Sequence, residues 1–208
     1  MTASILNLAA LQAQTLALQP YPYLVFENFI DPNLEPAIHA AFPKINKDGS
    51  FPLSAFQLTG IMRELIDALN SDALRQAIAT KFALNLDLRP TTITLRGYCT
   101  LGRDGKIHTD SKDKLITVLL YLGADAAASK GCLRILYNKQ DLNHYAAEIS
   151  PAFGNVAMFQ VTENGWHGFT PVQGQRRAIQ LNYVVSTRVA TKNIWRHKIA
   201  AFIKRLKG

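Results

Sequence analysis

The sequence predicts a mostly-β protein with supporting helices: a double-sheet jelly roll or barrel preceded by helices and closed by a C-terminal helix. Two observations carry this. After Pro90, short apolar or alternating runs recur, separated by turns bearing Gly and Asn. Before Pro90, apolar residues mostly recur at helical spacing instead. A chain of 208 residues can bury one sizeable core, and it contains no internal repeat or low-complexity linker. It therefore reads as one domain over residues 1–208, with helical support in 1–90, a barrel core in 91–186 and a basic C-terminal helix in 187–208.

The elements follow in order. The opening segment has an apolar cast and reads as a helix or short lead-in. Pro20 to Ile30 reads as a strand. Asp31-Pro32 then opens a helix through Phe42, because proline tolerates the first helical turn. Asn46 to Pro52 is a loop. Ile61, Leu65, Ile66 and Leu69 mark the next helix, and Ser71 and Asp72 cap another that runs to about Phe82. From Thr91 to Leu101 the residues alternate with period two. Ile93, Leu95, Cys99 and Leu101 fall on one side, and Thr92, Thr94, Arg96, Tyr98 and Thr100 on the other. A polar side that includes an arginine and a tyrosine suits the inside of a ligand-holding barrel. Further strands are expected at Leu115 to Leu122, Cys132 to Tyr137, Val156 to Gln160 and Arg176 to Ser186.

Charge and composition narrow the function classes. Net charge is +8, but seven of the Lys and Arg residues lie between Ser186 and Gly208, where there is no Asp or Glu. The rest of the chain is almost neutral. Trp195, Ile199, Phe202, Ile203 and Leu206 recur at helical spacing in this tail, as in a helix packed on the body with a solvated basic face. A contact of that face with an acidic partner or an anionic membrane surface is the alternative. No arginine-aromatic RNA-binding signature is present, so nucleic acid is a minor option. No apolar run approaches the roughly 20 residues of a membrane span. The first residues lack the basic start of a secretory signal, so the expected location is cytoplasmic. Cys99 and Cys132 form no CxxC motif and read as free thiols.

The chemistry concentrates in a few residues. His108 and Asp110 form a His-x-Asp pair, and two residues apart on one strand they would share a face. His167 lies 57 residues beyond Asp110, far enough for intervening strands to bring it back alongside. Two histidines and a carboxylate can occupy one face of an octahedral Fe(II), leaving the other face for a chelating co-substrate and O2. Just downstream, Arg176 can hold the distal carboxylate of such a co-substrate in a bidentate grip. The pattern points to a non-haem iron oxygenase that consumes 2-oxoglutarate. His39, His144 and His197 have no partner pattern and read as ordinary core or surface histidines. Strand alternation assigns the carboxylate to Arg176 and not Arg177. Arg176, Ala178, Gln180 and Asn182 share a face suited to a cavity, while Arg177, Ile179, Leu181 and Tyr183 share the opposite one. Arg96 shares the polar strand side with Tyr98 and is a substrate-binding candidate, with a structural ion pair as the alternative.

Several segments, in order, resemble the prolyl-4-hydroxylase-like branch of the 2-oxoglutarate and Fe(II)-dependent dioxygenases. They are YPYLVFENFIDPNLEPAIHAAFP, IHTD followed by LITVLLYL, KGCLRIL, GNVAMFQ, and WHGFTPVQGQRRAIQLNY. The resemblance spans roughly Pro20 to Ser186. It implies a double-stranded β-helix (jelly-roll, cupin-like) core, with His108, Asp110 and His167 as iron ligands and Arg176 on 2-oxoglutarate. Tyr98 and Tyr121 match tyrosines that bind this co-substrate in related enzymes. It also implies an oxidative decarboxylation that gives succinate and CO2 and hydroxylates a substrate. Collagen-type relatives carry Lys at the arginine position, and the SKDK loop after the metal pair is short. Substrate-gripping loops are not recognisable. The substrate, a small molecule or a peptidyl group, therefore does not carry over. Asp110 argues against a halogenase, which needs that carboxylate absent. The alternatives are a catalytically inactive jelly-roll binding protein and a cupin-type metal enzyme independent of 2-oxoglutarate, although no Glu-bearing cupin motif is evident.

Overall fold

The structure, a computed structural model, describes residues 5–101 and 105–192. Its strands are β1 (Tyr23–Phe26), β2 (Phe51–Pro52), β3 (Thr91–Cys99), β4 (Lys114–Ala124), β5 (Leu133–Leu136), β6 (Tyr145–Ile149), β7 (Val156–Gln160), β8 (His167–Phe169) and β9 (Gly174–Val184). They form a six-stranded sheet in the order β1-β7-β4-β9-β3-β2 and a three-stranded sheet in the order β6-β5-β8. From β4 onward the chain crosses to the small sheet for β5 and β6, returns for β7, crosses again for β8 and returns for β9. That winding between two antiparallel sheets is the jelly roll expected from the sequence.

The large sheet is covered on both faces, so β4 reads as an almost continuous apolar run instead of an alternation. Its Ile116, Val118, Leu120 and Leu122 join a core with Ile179 and Leu181 of β9 and with helices α2 (Glu35–Ala41), α3 (Gly60–Leu69) and α4 (Asp72–Phe82). From α3 this core takes Met62, Leu65, Ile66 and Leu69; from α4 it takes Leu74, Ile78 and Phe82. Truncating Leu65 or Ile78 to Ala would cost about 2–5 kcal/mol, since both are fully buried. On the opposite face, Leu119, Tyr121, Phe159 and Ala178 pack with Leu133, Ile135 and Ile149 of the small sheet.

Local signals set the helix starts. Ser71 Oγ accepts from Leu74 N at 3.2 Å and caps α4. Asp31 caps a 3₁₀ turn (Pro32–Leu34) that leads into α2. The opening segment contains a short helix, α1 (Leu8–Ala13). The strand expected over Pro20 to Ile30 is confined to β1, and Asn28, with φ of 59°, turns the chain after it. The loop expected over Asn46 to Pro52 ends in the two residues of β2, while β6 and β8 appear as short strands that the sequence patterning does not predict.

The expected alternation along 91–101 needs correction. It holds through Arg96, where Ile93 and Leu95 face the helix-covered core. The pairing of β3 with β9 then shifts between Arg96 and Tyr98. Cys99 therefore packs with Phe169 and Val172 in a separate cluster, and Leu101 lies beyond the strand, 61% exposed. Gly97 sits at the shift. A Cβ there would lie 2.5 Å from Ile45 Cβ and 2.7 Å from Ile45 O, so only glycine fits the close approach.

Both cysteines are free thiols. Residues 187–192 are helical. The rest of the expected terminal helix, including Trp195, Ile199 and Phe202, lies outside the described residues. No helix among the described residues is long and apolar enough to cross a membrane.

Candidate active site

A cavity of about 620 Å³ opens between the two sheets, lined by His108, Asp110, His167, Arg176, Tyr121 and Arg96 among others. The fold brings the two histidines together through a backbone bridge. His108 N donates to His167 O and His167 N to His108 O, each at 3.0 Å. His108 is thus on an isolated bridge, and Asp110 lies in the loop before β4 and not on a regular strand. One ligand atom from each of His108, Asp110 and His167 lies within 4.8 Å of the others, and the three can hold one metal ion.

The protein also sets the chemical state of these groups. Nδ1 of His108 faces Lys106 O at 2.8 Å, and Nδ1 of His167 faces Gly165 O at 2.9 Å. A carbonyl only accepts, so each Nδ1 carries the proton and each Nε2 keeps a lone pair for a metal. Burial, together with the neighbouring His108, lowers the His167 pKa to about 4; Asp110 opposes this only in part. His167 is therefore a neutral imidazole at neutral pH. Burial alone would raise the Asp110 pKa, but Lys114, His167 and two hydrogen bonds outweigh it and hold the carboxylate below its usual range. Lys114 Nζ donates to Oδ1 at 2.7 Å and Thr117 Oγ1 to Oδ2 at 2.5 Å. Each oxygen keeps lone-pair capacity, so this clamp orients the ionised group without exhausting it.

Arg176, near the start of β9, lines the cavity and is only 4% exposed. Its Nε and Nη2 donate to Gly131 O at 3.2 and 3.0 Å, and Nη2 donates to Tyr121 Oη at 3.2 Å. The guanidinium also lies 4.2 Å from the Phe169 ring centroid and 4.8 Å from that of Tyr121. It makes no ion pair with a carboxylate among the described residues. A buried cation in this state is ready for an anion supplied by a ligand. Ala178, Gln180 and Asn182 line the same cavity, while Ile179, Leu181 and Tyr183 enter the helix-covered core. Arg177 lies outside the lining, where Nη2 donates to Gln175 Oε1.

The other candidates are distributed as follows. Tyr121 is 1% exposed and beside Arg176. Tyr98, beyond the β3 irregularity, is not among the lining residues. Arg96 lines the wall, and its Nε donates to Ser50 Oγ at 2.8 Å; no carboxylate pairs with it among the described residues. His39 binds Leu122 O, and His144 binds Asn138, both away from the cavity. Sequence reading missed Lys114 and Thr117, and placed Asn182 on the cavity face without a role. Thr117 touches both Asp110 and Asn182, whose amide donates in turn to Thr92 Oγ1 at 3.2 Å. The available signal was position: Thr117 and Asn182 lie on the inward register of β4 and β9, opposite each other.

Comparison with known proteins agrees with this architecture. Residues 94–184 match the model of the 2OG-Fe(II) oxygenase superfamily, enzymes that use Fe(II), 2-oxoglutarate and O2. A Pseudomonas putida prolyl-4-hydroxylase superposes with a TM-score of 0.60 at 19% identity, covering 85% of this chain and 92% of that one. A Trichoplax adhaerens prolyl hydroxylase, solved with a hypoxia-inducible-factor peptide fragment, gives 0.54 at 18% identity, covering 87% and 88%. A collagen prolyl hydroxylase of Paramecium bursaria Chlorella virus-1 gives 0.52 at 16% identity, covering 79% and 90%. These likenesses show the double-stranded β-helix fold. No curated protein matches the sequence.

Proposed function

We propose that this chain, whose residues 94–184 match the 2OG-Fe(II) oxygenase superfamily model, is a dioxygenase that hydroxylates a substrate with release of succinate and CO2. In this reading His108, Asp110 and His167 hold Fe(II), and Arg176 with Tyr121 holds the distal carboxylate of 2-oxoglutarate. One observation supports it above the others: a single cavity holds three convergent metal-ligand atoms and a buried arginine without a carboxylate partner. An inactive binding fold would have no need of both.

When bound, Fe(II), 2-oxoglutarate and O2 supply an oxidative decarboxylation that delivers oxygen to a substrate C–H bond. The chain's own residues prepare for it. The Nδ1 bonds fix the ring orientation of the two histidines, and Lys114 and Thr117 fix Asp110. Phe169 and Tyr121 exclude water around Arg176, which strengthens its hold on an anion. Arg96 is the substrate-binding candidate on the open wall. Helical support, barrel core and basic tail act as one domain. A cytoplasmic setting and contact of the tail with an acidic partner or membrane surface belong to the same proposal.

The test is succinate release in air from 2-oxoglutarate, with and without added Fe(II) and with a chelator. Iron-dependent succinate supports the reading. Unchanged turnover in the chelated protein, or metal-dependent chemistry that consumes no 2-oxoglutarate, contradicts it.

A further inference from the structure

Resting on that reading, we infer that the substrate is a small, polar carboxylic acid and not a peptide, with its carboxylate received by Arg96. The cavity has a charge surplus that metal and co-substrate leave unmatched. Arg96, Lys106, Lys114 and Arg176 line it, and among the described residues only one carboxylate does, Asp110, already paired with Lys114. With 2-oxoglutarate between the metal ligands and Arg176, the Arg96 guanidinium has, among the described residues, one hydrogen bond, to a serine hydroxyl. A half-buried guanidinium on a cavity wall gains most from an anion that accepts two parallel N–H donors.

Arg96 stands on the strand next to the co-substrate clamp, two residues along the β9 register from Arg176. Across the ladder it faces Ala178, whose methyl leaves its head free to reach the cavity. It sits beside Ser50, next to the edge strand β2, whereas His167, Phe169 and Leu133 belong to the small sheet opposite. Between Arg96 and Asp110 the wall is polar and buried. Thr92, Thr94 and Asn182 are each at most 6% exposed, and Gln180 Nε2 donates to Asn182 Oδ1 at 3.1 Å. Asn182 is thereby held by Gln180 and Thr92 in one preset orientation.

This wall selects by hydrogen bonding. A prolyl ring pressed against it would make no hydrogen bond with the donor and acceptor capacity that its hydroxyls and amides have left. A peptide carbonyl would be a neutral partner for Arg96. A compact acid with hydroxyl, amide or amino groups beside its reactive C–H would satisfy both the row and the guanidinium. Carboxylate is favoured over phosphate because only one guanidinium is uncommitted and its planar fork matches two coplanar oxygens.

Two readouts test this on the full chain. The first is ligand-observed NMR without added metal, using free amino acids and hydroxy acids beside their methyl amides. The second is aerobic succinate release with the same compounds, sugar phosphates and end-blocked prolyl peptides. The acids should bind and stimulate turnover, and their amides should not. Arg96→Gln should raise the KM of the stimulating acid about 10-fold or more, while the 2-oxoglutarate KM moves less than about 3-fold and Arg96→Lys restores part of the loss. Stimulation by blocked peptides, by sugar phosphates, or equally by acids and amides would overturn the inference. So would an Arg96→Gln change that falls on 2-oxoglutarate alone. If no 2-oxoglutarate is consumed under any condition, the oxygenase reading fails, and the NMR comparison still decides whether the pocket selects acids.

Discussion

Towards the start of β9 Arg176 is wrapped by two aromatic rings, a tyrosine hydroxyl and one backbone carbonyl; towards the other end of the strand, Asn182 is held in a row of hydroxyls and amides. The first end is dry and nearly closed, with a fixed charge and few groups that could adapt. The second presents several hydrogen-bonding atoms, and Arg96, opposite Ala178, lies between the two. A dry cationic end suits a ligand that never changes, and the polar end reads whatever differs from one enzyme to the next. The proposed co-substrate accounts for the first end. The second belongs to this chain's own side chains, so analogy does not give the substrate.

The largest effect should come from the three candidate metal ligands, of which Asp110 adjoins the polar end through Thr117. His108→Ala, Asp110→Ala and His167→Ala should each bring coupled turnover below roughly 1% of wild type, with melting temperatures kept, because each lines a cavity and not the packed core. Near-normal iron-dependent turnover in any of them would detach that residue from the metal. Next, Lys114→Met and Thr117→Val unclamp Asp110 and should weaken metal affinity about 10–100-fold. Metal titration that shows no loss in either variant would make the clamp structural only.

A third effect concerns stability of the metal-free protein. His167 has a folded pKa of about 4 against 6.5 for the free side chain. The unfolded chain therefore binds the extra proton first, and stability falls as pH drops from 6.5 towards 4. Between pH 7 and pH 5 the loss from this residue is about 2 kcal/mol. Asp110, with its pKa lowered, adds a further loss only below the ordinary carboxyl value of 3.8. Urea melts should show the first slope in wild type and a flatter one in His167→Asn; equal slopes would contradict the assigned burial effect. The smallest contrast is between the tyrosines. Tyr121→Phe removes a hydrogen bond from Arg176 and should weaken 2-oxoglutarate binding by roughly 3–10-fold. Tyr98→Phe, outside the cavity lining, should change it less than about 2-fold. Reversed magnitudes would show that the β3 shift does not turn Tyr98 away.

The triad was legible because its residue types carry the chemistry: His-x-Asp and a later His need no geometry to be noticed. The inward face of β9 was legible because Arg176, Ala178, Gln180 and Asn182 alternate with apolar residues that could only be core. Tyr98 was placed by extending that alternation along β3, and the shift between Arg96 and Tyr98 broke the phase. Gly97 within the run was the one local sign of it. Lys114 and Thr117 escaped notice because neither residue type marks a site; they matter through the carboxylate they touch. β8 was invisible for another reason. Its three residues are too few for a period, and only pairing with β5 and His108 defines it.

The central claim, that one cavity holds metal and 2-oxoglutarate at once, is tested most directly by the Kd of 2-oxoglutarate. It should be measured without oxygen, with and without Mn(II), for wild type, Arg176→Ala and Arg177→Ala. Tight binding should require the metal, Arg176→Ala should raise Kd about 30-fold or more, and Arg177→Ala should change it less than about 3-fold. Metal-independent binding, or a larger loss in Arg177→Ala than in Arg176→Ala, would contradict the account.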